Sequence, residues 1–101
     1  MRIYYIFLEG IPLPDNSERK ECAGGYINCW VNAEDEASAK DKAIAYIHDE
    51  EGWQVLNIEE ICIADRDRYL EEPASLKCFD QAVDYGIGAA FYIWPAGSEG
   101  H

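Results

Sequence analysis

The side chains able to do chemistry in this chain are four cysteines, Cys22, Cys29, Cys62 and Cys78, two histidines, His48 and His101, and 20 acids set against 8 bases. His48 opens the run His48-Asp49-Glu50-Glu51, where an imidazole beside three carboxylates has the composition of a general base or of an acidic docking patch. Three consecutive acids point in different directions around a helix, which suits one metal ion poorly. At a helix C-terminus each also opposes the macrodipole by roughly 0.3 to 1 kcal/mol. Asp49, Glu50 and Glu51 therefore read either as an acidic patch with a partner or as a solvated helix end.

Thiol nucleophiles need a thiolate held by a cation or a helix N-terminus, with a base in reach. Cys22 alone follows basic residues, Arg19 and Lys20, whereas Cys29 and Cys62 have apolar neighbours and Cys78 falls inside a helical pattern. The spacings Cys22-x6-Cys29 and Cys62-x15-Cys78 match no zinc finger. The sequence holds no phosphate-binding Gly-rich loop, CxxC, HExxH, GxSxG or EF-hand loop, the usual signatures of familiar catalytic or metal sites. No catalytic residue, metal ligand or cofactor is assigned; were the chain an enzyme, Cys22 and His48 would be the residues to test. All four cysteines read as reduced thiols, mostly buried.

A different pattern is more informative. Residues 25 to 33 (GYINCWVNA) alternate cleanly, with Ile27, Cys29 and Val31 on one side and Tyr26, Asn28, Trp30 and Asn32 on the other. Tyr92 and Trp94 join the second set if the last strand follows the same division. Aromatic rings mixed with amides on an uncovered sheet face have the make-up of a binding surface. A patch of that size calls for cover by a second copy of the chain, by a ligand, or by the loop 10 to 24 folding back over it.

The elements that would position these residues follow from the periodicity. Residues 2 to 9 are apolar on both parities, the mark of a central strand, and the run from Gly10 to Gly24, with two prolines, predicts a long loop. A helix is expected from an N-cap at Asp35 to about Glu51, stopped by Gly52. Residues 53 to 64 read as a strand whose alternation stumbles between Asn57 and Glu60, through a bulge or a turn. After the polar connector 64 to 72, Pro73 opens a second helix ending at Gly86, and residues 88 to 94 form the last strand, closed by Pro95. The order is β-β-α-β-α-β. Because helical crossovers obey one handedness, both helices are expected on one face of a mixed or antiparallel four-stranded sheet, a two-layer α+β sandwich, ferredoxin-like in general architecture.

Composition bounds the rest. With 101 residues, 49% of them hydrophobic and thirteen aromatic, the chain fits one domain with a packed core. That domain is expected over residues 1 to 98; Glu99, Gly100 and His101 read as an expression-tag remnant. A net charge of -12 repels phosphate and anionic headgroups, so nucleic acid and membranes are not expected as partners, while a basic protein is favoured. Residues 34 to 72 concentrate the charge, with 13 acids and 4 bases. The start MRIYYIFLEG lacks a leader pattern and no stretch approaches ~20 apolar residues, so a cytoplasmic location is expected. These features favour a non-catalytic binding domain that forms a homodimer through its aromatic sheet face. The alternative is an acidic inhibitor or immunity-type protein that binds a basic partner.

Overall fold

The computed structural model describes residues 2–95. Four strands, β1 (Arg2–Pro12), β2 (Cys22–Ala33), β3 (Trp53–Ile63) and β4 (Ile87–Pro95), and two helices, α1 (Glu36–Asp49) and α2 (Pro73–Tyr85), follow in the order β1-β2-α1-β3-α2-β4. The strands form one sheet in the order β3-β1-β2-β4, every neighbouring pair antiparallel. The α+β class, the four-stranded sheet and the element order agree with the sequence pattern. Among the described residues, no helix is long and apolar enough to cross a membrane; residues 99 to 101 lie outside the described range.

Helix boundaries fall where capping chemistry puts them. The Asp35 carboxylate accepts the Ser38 amide at 2.8 Å, satisfying an otherwise orphaned donor of the first turn. Pro73 occupies the start of α2, and Gly86, at φ 100°, ends it in the left-handed conformation that glycine tolerates. The anticipated long loop is shorter than its prolines suggest, because β1 runs on to Pro12 and β2 begins at Cys22. Pro12 is the last residue of its strand, where a missing N–H is harmless.

In β3 the stumble in alternation is a pair of bulges. Register with β1 shifts between Phe7 and Leu8 and again between Glu9 and Gly10, leaving Glu59 and Leu56 outside the pairing. Each extra residue reverses parity. Trp53, Val55, Ile58 and Ile61 thereby all reach the same core.

That core lies on one face of the sheet, where Tyr4, Ile6 and Leu8 of β1 and Ile27, Cys29 and Val31 of β2 meet Ala39, Ala43 and Ile47 of α1. A second cluster occupies the other face, where Trp30 meets Tyr69 and Cys78, Phe79 and Ala82 of α2, with Ile3 and Tyr5 alongside. The helices therefore cover opposite faces, a correction to their expected placement on one face and a departure from a ferredoxin-like layering. The physical reason lies in strand direction. β2 and β3 are both antiparallel to β1, hence parallel to each other, and the handedness rule governs the α1 crossover between them. β3 and β4 are antiparallel and at opposite edges, so the rule leaves α2 free to return over the other face.

Candidate functional site

The face beneath α2 is built from cross-strand rows. One row aligns Cys62, Tyr5, Trp30 and Gly88, the next aligns Glu60, Phe7, Asn28 and Ala90, and a third aligns Glu9, Tyr26 and Tyr92. α2 and the 3-10 turn Arg66–Tyr69 close over the first row, with Ile3 and Ala90 from the rows on either side packed against the same cluster. Trp30 is 2% exposed, with its ring 5.6 Å from Tyr69 in an edge-to-face contact and 5.3 Å from Tyr5. Gly88 is required there by close approach, since a Cβ would stand 2.2 Å from the Cys78 carbonyl oxygen.

The next rows stay open as a groove of about 550 Å³, walled by Tyr5, Phe7, Tyr26, Asn28 and Tyr92 from the sheet and by Arg68, Tyr69, Glu72 and Ser75 from the turn and the start of α2, with Glu60 at the β3 side. Tyr26 stacks on Phe7 with centroids 5.0 Å apart, and Trp94 meets it edge-on at 5.3 Å. The Tyr5 hydroxyl donates to the Asn28 side-chain oxygen, which fixes the amide at the groove floor. Burial, reinforced by the nearby Glu60 carboxylate, pushes the Tyr5 phenol up to about 12, so it remains a donor at physiological pH.

Of the six residues expected on an open aromatic face, the structure brings Tyr26, Asn28 and Tyr92 together in this groove with Trp30 at its buried end. Trp30 is thus a core residue, because Tyr69 and Phe79 supply the cover that a two-layer arrangement lacked. Asn32 lies outside the groove lining, its backbone N–H donating to the Gly86 carbonyl at 2.9 Å. Trp94 flanks the groove through Tyr26 without lining it. The Trp30 indole N–H and the Asn32 side-chain oxygen are buried without a hydrogen-bond partner among the described residues. In the loop after β1, Leu13 and Asn16 bind the α1–β3 turn, with Asn16 donating to the Gly52 carbonyl at 2.8 Å.

Sequence reasoning missed Tyr5, Phe7, Glu60, Arg68, Tyr69, Glu72 and Ser75. Tyr5 and Phe7 share a parity in β1, a signal that could have found them, but the wall between Arg68 and Ser75 depends on where α2 packs.

The acidic run ends α1. His48 pairs with Asp49 at 2.9 Å on an exposed surface, and the Tyr46 hydroxyl donates to Glu51 at 2.8 Å. Burial and that bond raise the Tyr46 phenol to about 12. Asp49, Glu50 and Glu51 border a shallow depression with Tyr46 and Ile87. Among the described residues no group of three His, Cys, Asp or Glu side chains is placed to hold a metal ion.

The cysteines are all free thiols. Cys22 is buried and directs its Sγ toward the Gly24 carbonyl at 3.4 Å, while Arg19 donates to the Pro12 carbonyl instead of to the sulfur. Burial pushes the Cys29 thiol up to about 12 and also raises Cys62, helped by Glu60, and Cys78. Raised values keep these three in the unreactive thiol form.

Compared with family models, with curated proteins and with solved structures, the chain matches none.

Proposed function

We propose that this chain is a non-catalytic binding domain whose recognition site is the groove between Tyr26, Tyr92 and the start of α2, and that the partner inserts a cationic side chain. One observation carries the reading: part-exposed aromatic rings converge in a concavity that also holds the carboxylates Glu60 and Glu72. Ring faces attract a guanidinium or ammonium by about 0.5 to 2 kcal/mol each, and the carboxylates add charge pairing. Arg68 on the same wall offsets part of that charge and favours a carboxylate next to the inserted cation. The net charge of -12 draws a basic protein toward the molecule from a distance.

Titration with an Arg- and Lys-bearing peptide, followed by amide chemical shifts, tests this. Shifts are expected around Asn28, Tyr26 and Tyr92, absent with an acidic peptide of equal length. Tyr26→Ala and Tyr92→Ala are each expected to weaken binding by about five- to tenfold. Shifts confined to Asp49, Glu50 and Glu51 would move the basic partner to the end of α1, and no shift with either peptide would discard the groove.

A second reading is self-association through this same face, favoured by the exposure of Tyr26 and Tyr92. A concave groove needs a convex occupant, which a second identical groove does not provide. Sedimentation of the Tyr26→Ala variant distinguishes the readings, since only a face-to-face dimer would dissociate.

A further inference from the structure

Among the described residues β4 is an edge strand, hydrogen-bonded to β2 on one side only. An open edge offers a row of unpaired backbone donors and acceptors, and proteins blunt such edges with charges, proline, bulges or covering segments. The opposite edge is blunted in this way, since β3 carries two bulges together with the exposed acids Glu59 and Glu60. β4 carries neither charge nor proline before its final residue, Pro95, from Ile87 to Trp94. Its pairing with β2 is regular from Ile87 to Trp94.

The contrast with the rest of the chain is sharp. Charged residues make up 28% of the sequence, yet none falls between Tyr85 and Ser98. The other long uncharged run, residues 22 to 33, is β2, which is paired on both sides. β4 thus has the composition of an interior strand in an edge position. Tyr92 and Ile93, on opposite faces of the strand, are each more than half exposed, and Tyr85 just before it is 83% exposed.

The strand is also complementary to itself. Gly88, Ala89 and Ala90 are small, whereas Phe91, Tyr92, Ile93 and Trp94 are bulky. Antiparallel pairing with a copy of itself sets the bulky half of each strand beside the small half of the other, and a two-fold axis generates that arrangement. A parallel mate would oppose bulky to bulky. For molecules of net charge -12, this uncharged edge is also where two copies can meet without opposing carboxylates across the seam.

We propose that β4 pairs antiparallel with β4 of a second copy, joining two four-stranded sheets into one continuous sheet. The axis stands perpendicular to the sheet, so both grooves open on the same side of the dimer. The proposal does not rest on what the grooves bind.

The experiment is sedimentation equilibrium and concentration-dependent amide exchange on the full chain, compared with the Ile93→Lys variant. Ile93 does not line the groove and its exposure makes the substitution tolerable to the monomer. The unsubstituted protein is expected to be dimeric at high micromolar concentration, with β4 amides gaining protection as concentration rises. Ile93→Lys is expected to weaken the dimer by at least about tenfold with unchanged circular dichroism. A monomer at high micromolar concentration overturns the proposal. So does a dimer indifferent to Ile93→Lys and to an Ile93→Pro control, whose lost N–H lies on the free side of the strand, or β4 exchange that does not respond to concentration. If Ile93→Lys itself unfolds, Ile93→Thr with the exchange measurement gives the same decision.

Discussion

At the scale of single residues, Gly88 shows how one side chain's absence sets the second layer. A methyl group there would meet the Cys78 carbonyl at 2.2 Å, so Gly88→Ala must lift α2, at a cost of about 1 to 3 kcal/mol, measurable by chemical denaturation. The phenols give a pH test. Tyr5 and Tyr46 are raised from 10.0 to about 12, so folding favours their protonated forms. That contribution is complete below the unfolded value and is lost as pH rises through the folded one. Stability is therefore expected to fall between 10.0 and about 12, with Tyr5→Phe and Tyr46→Phe each removing one late-ionising phenol from a spectrophotometric titration. Tyr5 was present in the alternation of β1 as plainly as Trp30 in that of β2. What the pattern lacked was the register Tyr5 to Trp30, a long-range fact that places the two rings in one site.

At the scale of elements, each cap and bulge makes its own prediction. Ile58 packs toward the first core whereas Leu56 is 49% exposed, although both belong to the same parity in the sequence. Ile58→Ala is expected to cost about 1 to 3 kcal/mol and Leu56→Ala less than about 0.5 kcal/mol, a difference that vanishes if β3 is unbulged. The caps predict an acid limit. The Ser38 amide bonded to Asp35, and Arg66 bonded to Asp80 at 2.9 and 3.1 Å, hold both carboxyls below their ordinary value. Their stabilisation is present above the unfolded carboxyl range and lost as pH falls through the depressed values. Asp35→Asn with Asp80→Asn should flatten the acid side of a stability–pH profile. Helix ends were legible because caps are local; the side of the sheet each helix takes was not, because it depends on strand order.

At the scale of the whole molecule, salt separates the two proposed associations. Raising ionic strength screens the repulsion between copies of net charge -12, so dimerisation through an uncharged β4 is expected to strengthen, while capture of a basic peptide in the groove is expected to weaken. Parallel sedimentation and peptide titrations at low and high salt check the opposite signs. If both responses share one sign, one of the two surfaces is misassigned.

The sequence by itself determined the α+β class, the order of elements, the caps at Asp35 and Gly86, and the presence of an aromatic set on one parity of β2, since all of these are written in local spacing and side-chain type. Only the tertiary structure decided that α2 returns over that aromatic set, burying Trp30 and leaving Tyr26 and Tyr92 in a groove. The reason is that β3 and β4 run antiparallel at opposite edges, and no local signal carries the relative direction of strands some twenty residues apart.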